Sequence, residues 1–495
     1  MTTRMSVLCM AACLVGGESA AAADTPVGLE RFYSQRPEWI ACGDEQLDAA
    51  GAQCAEVSVP LNYAQPQGRT ITIAISRLRA ADPAKRRGVM LSNPGGPGGP
   101  GLDFPLEFGP ALSQDVRDRY DLIGMDPRGI GRSAPVNCGW PIGQGYQSAG
   151  VDAVSYAKSV ATQADLAARC LVRERDELLY ITTRNTARDM DVIRGALGEE
   201  TIGYYGISYG TYLGWVFTQM FPDRADRIVL DSAIDPQRWV LGHIQDWGAP
   251  NEAALDDWAD WTAAHDDEYR LGTTRSEVRD TVTALIQQAA AIRIRIGAYE
   301  LDDHWVPILL FDVLRDQRRN DVLARLVGQL RDAAAGVPVQ PTAEQEKYLA
   351  VMLRGQPHDT SATVVIWCGD VGAPRDPGWY WRNIEDSRAA RPVFGPLADN
   401  ITPCAFWPDP IEAPTVVVQN SVPALILQAT GDTRTAYQEG VALHQLMTGS
   451  RLATLRDVRI HTILATFPNR CVTDAVDTYF RDGALPDTDI ICTSD

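Results

Sequence analysis

A serine stands at the centre of a Gly-x-Ser-x-Gly turn at residues 206–210. The preceding residues 200–205 form a short β-rich run, and residues 211–221 have the apolar pattern of a buried helix. A strand, a tight turn and a helix in this order are the context in which the motif exposes a nucleophilic serine. Ser208 is therefore the candidate nucleophile.

A serine hydroxyl is a weak nucleophile at neutral pH, so it needs an adjacent base and a carboxylate that orients this base. When the nucleophile lies on such a turn, the acid and then the base follow later in the chain, on loops after further strands. Asp432 fits the acid because it follows the apolar strand pattern at 423–428 through a short turn. Glu439, inside the next predicted helix, is the weaker alternative.

Only two of the six histidines come after the candidate acid. His461 follows a predicted strand at 451–455 and a turn at 456–460, which is the loop position expected of the base. His444 lies in a predicted helix at 438–447, where a surface or packing role is the simpler interpretation. The other histidines fall in a predicted helical insertion, where they can at most line a substrate pocket: His243, His265, His304 and His358.

The glycine- and proline-rich residues 93–101 directly follow a predicted strand at 88–92. Glycine lets the backbone approach a reacting carbonyl closely, so this loop can supply a backbone N–H to an oxyanion. We expect one donor from Gly96, with Gly95 as the alternative, and the other from Tyr209, the residue after the nucleophile. No Lys-Ser/Thr pair follows the loop, which excludes a phosphate-binding P-loop.

The elements that must position these residues alternate between strands and helices. Predicted strands at 57–63, 70–76, 88–92 and 120–125 precede a helical pattern at 183–197, which indicates a mostly parallel α/β sheet. From about residue 236 the pattern changes to amphipathic helices without strands, including 276–296 and 308–335. We therefore expect an N-terminal part of the sheet domain at 24–235, a helical cap at 236–402 and a C-terminal part at 403–495.

The ends of the chain and its charge bear on location and partners. An apolar run at 5–15 and an alanine-rich stretch before Asp24 predict an export signal at 1–23. Cys13 loosely resembles a lipidation site, although the apolar stretch before it is too short. No other segment reaches the roughly 20 apolar residues that a membrane-spanning helix needs. The net charge of −19, without a basic cluster, argues against nucleic acid as a partner.

Removal of the signal leaves eight cysteines, and an even number in an exported chain predicts disulfides. They fall along the sequence as four local couples, so sequential pairing is the simplest expectation. The sequence has no Cys-x-x-Cys motif or His/Cys cluster, which argues against a zinc site. The candidates are Cys42, Cys54, Cys138, Cys170, Cys368, Cys404, Cys471 and Cys492.

Four stretches, at 93–98, 126–133, 206–214 and 404–408, resemble those of the secreted tripeptidyl aminopeptidase-like α/β-hydrolases, serine peptidases related to proline iminopeptidase. The resemblance covers nearly all of the chain after the signal. It implies an α/β-hydrolase fold with a mostly parallel central sheet and an inserted helical cap. It also implies a Ser208, Asp432, His461 triad that needs no metal or organic cofactor, and disulfides Cys368–Cys404 and Cys471–Cys492.

Two positions depart from that family's pattern. The family commonly has Asp-Pro-x-Thr-Pro after the acid strand, whereas residues 432–436 read Asp-Thr-Arg-Thr-Ala. Ile460 stands where a glycine usually precedes the histidine. These changes leave the assignment of the triad intact and make substrate preference the less secure part of the resemblance.

The combined expectation is an exported serine hydrolase that cleaves peptide bonds near a free N-terminus through an acyl-enzyme. An aminopeptidase must bind an α-ammonium group. Acidic residues of the cap are candidate counter-charges, although solvated helix faces are the simpler explanation for them: Asp256, Asp257, Asp260, Asp266, Asp267 and Glu268. The alternative is a secreted carboxylesterase, or a hydrolase of a peptide-like natural product, with the same triad. A non-catalytic binding protein on this fold would lack a triad member, which this sequence does not.

Overall fold

The computed structural model describes residues 28–173, 175–354 and 360–494. The predicted signal segment at 1–23, Cys13 and His358 lie outside these residues. Within them, twelve strands run in chain order as follows: β1 (Ile40–Ala41), β2 (Gln53–Pro60), β3 (Thr70–Leu78), β4 (Gly88–Asn93), β5 (Tyr120–Met125), β6 (Ile202–Ile207), β7 (Ala225–Asp231), β8 (Ile294–Ile296), β9 (Tyr299–Leu301), β10 (Ala424–Ala429), β11 (Ser450–Leu455) and β12 (Ile490–Cys492).

The α-helices of the described residues surround these strands. They are α1 (Glu30–Tyr33), α2 (Glu45–Ala49), α3 (Phe104–Phe108), α4 (Gln114–Arg117), α5 (Ala153–Arg173), α6 (Arg175–Leu178), α7 (Thr183–Ala196), α8 (Tyr209–Met220), α9 (Leu241–Asp246), α10 (Gly248–Ala263), α11 (Asp266–Tyr269), α12 (Arg275–Ala291), α13 (Val306–Leu314), α14 (Asn320–Ala334), α15 (Ala343–Leu353), α16 (Ser361–Asp370), α17 (Pro377–Arg388), α18 (Gly395–Ala398), α19 (Tyr437–Leu446) and α20 (Arg470–Asp482). None of them is long and apolar enough to cross a membrane.

Ten of the strands form one sheet in the order β1-β2-β3-β5-β4-β6-β7-β10-β11-β12. The pairs from β5 to β12 are parallel, and only the β1–β2, β2–β3 and β3–β5 pairs are antiparallel. Strands β4, β5 and β10 are buried at every residue, as expected of parallel strands covered by helices on both faces. The predicted α/β architecture with a mostly parallel sheet is confirmed.

The carboxyl ends of β4, β6, β7, β10 and β11 meet at one edge of this sheet because the five strands are parallel neighbours. Ligands of open α/β sheets bind beyond this edge. The glycine-rich loop follows β4, Ser208 follows β6, and the loops with Asp432 and His461 follow β10 and β11. The topology therefore brings segments far apart in sequence to a common site.

The region between β7 and β10 is mainly helical, but the expectation that it contains no strands is wrong. Strands β8 and β9 form an antiparallel hairpin, since both alternate buried and exposed residues and Gly297 supplies a positive φ of 56° at the turn. The helix predicted at 308–335 is divided into α13 and α14. Its middle pairs instead with the loop that precedes His461, through an isolated bridge between Asp316 and Ile460.

Four disulfides join the eight predicted cysteines in sequential order. The pairs are Cys42–Cys54, Cys138–Cys170, Cys368–Cys404 and Cys471–Cys492, separated by 12, 32, 36 and 21 residues. Each therefore closes a local loop, and Cys368–Cys404 ties α16 to the 3-10 turn Pro403–Phe406.

Candidate active site

Ser208 lies on a tight turn between β6 and α8, with φ 54° and ψ −123°. A left-handed conformation of a residue with a side chain costs of order 1–3 kcal/mol and persists only where the surroundings enforce it. Here the two flanking glycines allow the required close packing. A Cβ at Gly206 would lie 2.5 Å from the Gly210 oxygen, and one at Gly210 would lie 2.7 Å from the Asn93 oxygen. The Gly-x-Ser-x-Gly spacing is thus explained by the geometry of the turn.

Asp432 and His461 are joined by hydrogen bonds. The Nδ1 atom of His461 lies 3.0 Å and 2.9 Å from the two carboxylate oxygens of Asp432. The buried carboxylate also accepts from the Arg434 N–H at 2.8 Å and from the backbone N–H and hydroxyl of Thr435 at 3.1 and 2.8 Å. Burial raises the pKa of Asp432, but the charge of His461 and these hydrogen bonds hold it below its ordinary value. An ionised Asp432 fixes Nδ1 as a donor and leaves Nε2 free to act as a base.

The loop that carries His461 is held on two sides. The His461 N–H donates to the Arg315 oxygen at 3.0 Å, which connects the loop to the end of α13 in the helical region. On the sheet side, the carboxylate of Asp231 accepts from the Ile463 N–H at 2.9 and 3.0 Å and from the Leu464 N–H at 2.9 Å. Asp231 therefore positions the loop rather than the imidazole itself.

Sequence reasoning missed Asp231, although a signal existed. It ends the apolar run Ile228–Val229–Leu230, just as Asp432 follows the apolar run of β10. Asp231 is fully buried, and burial raises its pKa while the amide donors of Leu464 and Ile463 oppose that rise. A carboxylate at the carboxyl end of a buried parallel strand is a residue to test for a role at the sheet edge.

The two alternatives for acid and base lie elsewhere. Glu439 is buried and its Oε2 atom lies 2.8 Å from Nδ1 of His243, so it pairs with a histidine of the helical region rather than with His461. His444 contacts the Ser450 hydroxyl at 2.7 Å. Because Ser450 begins β11, His444 lies at the amino end of that strand, away from the edge that holds Ser208.

The glycine-rich loop lies directly against the serine turn. A Cβ at Gly95 would be 2.6 Å from the Ile207 oxygen and 3.0 Å from the Ser208 Cβ. The Gly95 N–H is used by the Asn93 side chain at 2.9 Å, whereas no acceptor for the Gly96 N–H occurs in the described part of the chain. Tyr209 is the first residue of α8, so its N–H has no acceptor within the helix. The backbone N–H groups of Gly96 and Tyr209 thus have no acceptor among the described residues, and their role as oxyanion donors stays a prediction.

Residues of the 126–133 motif secure the far end of this loop. The Asp126 carboxylate accepts from the backbone N–H groups of Gly101, Leu102 and Arg132 at 2.8, 3.3 and 2.7 Å. Arg128 is fully buried and donates to both carboxylate oxygens of Asp189, at 2.7 and 2.5 Å. The motif is therefore structural.

Helix α16 braces both segments that carry these donors. The Thr363 hydroxyl donates to the Pro97 oxygen at 2.5 Å, next to Gly96. At the other end of the helix, Asp370 accepts from the Thr183 N–H at 2.7 Å, and the Thr183 hydroxyl lies 2.8 Å from the Tyr209 hydroxyl. Burial raises the pKa of Asp370 to about 6.

A cavity of about 1080 Å³ opens above Ser208 and His461. The sheet edge contributes the catalytic candidates and the glycine-rich loop, and the helical region contributes the rest of the wall. The aromatic side chains of the lining are Tyr146, Trp247, Phe311 and Trp367. The charged ones are Asp312, Arg315, Asp316, Arg318, Arg319 and Arg434, and His243 also lines the cavity.

The candidate counter-charges for an α-ammonium group do not line this cavity, which agrees with their interpretation as solvated positions on helix faces. Three of the six residues form ion pairs on the surface of the helical region: Asp260 with Arg275, Asp256 with Arg279 and Glu268 with Arg325. Of the cap histidines that the structure describes, only His243 lines the cavity. His304 instead donates through Nε2 to the Ser155 backbone oxygen at 3.0 Å, near α5, and its Nδ1 lies beside the carboxylates of Asp302 and Asp303.

Comparison with known proteins adds to this geometry. The α/β hydrolase fold family matches residues 88–291, and the family described as TAP-like protein matches residues 391–492. A tripeptidyl aminopeptidase of Streptomyces coelicolor is 34% identical, over 92% of this chain and 85% of that protein. Carboxylesterase B of Mycobacterium tuberculosis is 31% identical over 92% and 89% of the two chains, and serine protease Hip1 of the same species is 26% identical over 94% and 92%.

Proposed function

The chain belongs to the tripeptidyl aminopeptidase-like family of α/β hydrolases, and on this basis we propose that it is an exported serine peptidase that releases short peptides from a free N-terminus. The observation that carries the proposal is the hydrogen-bonded pair of His461 and Asp432 at the cavity that Ser208 lines. Two of the three relatives named above are a peptidase and a protease by name.

In the proposed mechanism, Nε2 of His461 takes the proton of the Ser208 hydroxyl as the oxygen attacks a peptide carbonyl. Asp432 holds the imidazole and stabilises its charged form. The N–H groups of Gly96 and Tyr209 bind the oxyanion, and His461 then returns the proton to the leaving amine. Water hydrolyses the acyl-enzyme by the same route.

An aminopeptidase also needs a negative charge for the substrate's α-ammonium group, and Asp312 is the proposed partner. It lies on α13 and lines the cavity, and its side chain is 25% exposed. The other carboxylate of the lining, Asp316, is bound by Arg318 through both oxygens. Asp312→Asn should therefore lower kcat/KM for peptides with a free N-terminus and leave blocked substrates unaffected.

Export and the domain boundaries are part of the same proposal. Four disulfides are typical of proteins that fold in an oxidising compartment, and the predicted signal at 1–23 provides the route. A cap at 236–402 would close over the edge of a sheet domain formed by 24–235 and 403–495. N-terminal sequencing of the exported protein should give Asp24 as the first residue.

A carboxylesterase is the second candidate, because one relative of 31% identity carries that name. The triad and the oxyanion donors would serve both reactions. The two candidates differ in whether the enzyme requires a free amine and accepts an amide leaving group.

A substrate panel distinguishes them. Tripeptide anilides with free N-termini, the same peptides after N-acetylation, and simple 4-nitrophenyl esters are compared, with Ser208→Ala as the control for each. We expect the free tripeptides to be cleaved with the highest kcat/KM and the variant to be inactive. Equal cleavage of blocked peptides, or of esters alone, would refute the aminopeptidase proposal.

A further inference from the structure

Three residues that line the cavity above Ser208 each have a buried N–H group without a protein acceptor among the described residues. These groups are Nε1 of Trp247, Nε1 of Trp367 and Nη1 of Arg434. The two indoles are 6% and 2% exposed, and their ring centroids lie 6.4 Å apart, so both belong to one wall. This wall of the cavity therefore contains several N–H donors and few acceptors.

Arg434 is held rigidly in this wall. Its guanidinium lies over the ring of Phe311, 3.3 Å from the centroid, and donates through Nη2 to the Phe311 oxygen at 2.6 Å. The side chain is only 12% exposed, and the nearest carboxylate, Asp312, lies 3.8 Å away, at the outer limit of an ion pair. The guanidinium is therefore pre-organised and only weakly neutralised.

A second guanidinium adds to the positive charge. Arg315 lines the same cavity, and its side chain makes no ion pair or hydrogen bond with any residue that the structure describes. Arg318 and Arg319, by contrast, pair with Asp316 and Glu344. Burial lowers the pKa of Arg434 to about 10. The charge of Asp312 acts to raise this pKa, and the charge of Arg315 acts to lower it. Two guanidinium groups thus share one carboxylate, in a protein whose net charge is −19.

We propose that Arg434 and Arg315 bind a carboxylate of the substrate, in a wall of the cavity that Trp247 and Trp367 complete. A planar guanidinium binds a carboxylate through two parallel hydrogen bonds, so the site selects for an anion rather than for a merely polar group. The inference rests on the proposed function, because it names the substrate class of the same cavity. The carboxylate is either an acidic side chain or the C-terminus of a short peptide.

Two pairs of substrates distinguish these sources. The first pair consists of tripeptide anilides with glutamate or glutamine at each position in turn, and the second of a tetrapeptide as its free acid and as its amide. We expect kcat/KM to be about tenfold or more higher for the charged member of one pair, as for a charge-assisted hydrogen bond compared with a neutral one. Preference in the first pair identifies a side chain, and preference in the second identifies the C-terminus.

Variants connect the preference to the site. Arg434→Gln and Arg315→Gln should each reduce, several-fold, the ratio of kcat/KM for the charged member to kcat/KM for the neutral member. Arg315 is exposed, so its variant should fold even if Arg434→Gln does not. Arg325→Gln is the matched control, since it removes one exposed arginine from the helical region outside the cavity. It should leave the preference unchanged.

A binding measurement tests the site without turnover. At equal ionic strength, glutarate should raise the melting temperature of the wild-type protein more than the neutral glutaramide does, and Arg434→Gln and Arg315→Gln should reduce this difference. If peptides are cleaved without charge preference and glutarate gives no added protection, the inference fails and the proposed function stands. If no peptide is cleaved but glutarate protects through these arginines, the peptidase proposal fails and the carboxylate site remains.

Discussion

Replacement of Asp231 by asparagine should separate the positioning of His461 from the chemistry of the triad. The Asp231 carboxylate accepts from the N–H groups of Ile463 and Leu464 and from the Tyr205 hydroxyl at 3.0 Å, all in the protein interior. It does not contact the imidazole of His461 through any hydrogen bond that the structure contains. Its influence on the base must therefore pass through the backbone of the loop.

The expected loss in the free energy of unfolding follows from the hydrogen-bond donors that asparagine cannot satisfy. Asparagine keeps one acceptor oxygen and replaces the other by an NH2 group. At least one of the buried donors to Asp231, which also include the Ser232 hydroxyl at 3.4 Å, then faces a donor. An unsatisfied buried donor costs about 1–3 kcal/mol, and the remaining hydrogen bonds lose their charge assistance. We expect a loss of about 2–4 kcal/mol in the free energy of unfolding, which for a chain of this size lowers Tm by about 2–4 °C.

The activity should fall more steeply than the stability. A misplacement of about 1 Å in a catalytic group can reduce the rate by about 100-fold. We therefore expect kcat to fall by about that factor, with KM little changed, because Asp231 does not line the cavity. Thermal unfolding and steady-state kinetics on the same preparation measure both effects.

Tyr205→Phe is the matched control. It removes one donor to Asp231 and leaves the two backbone donors satisfied, so kcat should stay within a few-fold of the wild type. If Asp231→Asn lowers Tm but leaves kcat unchanged, the loop is not what positions His461. If Asp231→Asn has the Tm and the kcat of the wild type, the Asp231 carboxylate does not stabilise the loop.

Three further changes have outcomes that the structure predicts. A double alanine variant that lacks the Cys368–Cys404 disulfide should lose about 3–4 kcal/mol of stability through the entropy of the opened loop. We expect kcat to fall as well, because α16 braces the segments that carry the proposed oxyanion donors. Calorimetry measures the first effect and steady-state kinetics the second. Burial alone lowers the pKa of His304, but its two neighbouring aspartates raise that pKa to about 10. The charged His304 therefore stabilises the folded protein fully below pH 6.5, and this stabilisation is lost as the pH rises towards 10. Tm scans should therefore show a decline between pH 7 and 10 that is absent in His304→Gln. Arg128→Met leaves Asp189 buried without its partner and should cost about 3–5 kcal/mol, measured by denaturant unfolding.

Much of the sheet domain could be predicted from the sequence because its signals are local. The apolar runs that became β4, β5 and β10 are bounded by glycine, proline or aspartate, and the Ser208 turn has its own motif. The positions of Asp432 and His461 followed from chain order and from the strands before them. These features depend on a few consecutive residues, and a sequence records such features directly.

The helical region could not be predicted in the same way, since its structure depends on contacts between distant segments. The predicted helix at 308–335 is interrupted where Asp316 bridges to Ile460, a pairing across more than a hundred residues that no local pattern indicates. Acidic residues of α10 are candidate counter-charges by residue type alone, yet Asp260 pairs with Arg275 and Asp256 with Arg279. Arg434 stands in the acid loop, but only the packing against Phe311 shows that it lines the cavity.

Covalent labelling tests the central claim, that Ser208 is a nucleophile activated by His461 and Asp432. A fluorophosphonate transfers its phosphonyl group to an activated serine oxygen and releases fluoride, and mass spectrometry of the intact and digested protein locates the adduct. We predict one adduct, on Ser208, absent from Ser208→Ala and formed at least about 100-fold more slowly in His461→Ala, as for loss of a general base. An adduct on another residue, or unchanged labelling of Ser208→Ala, would contradict the account.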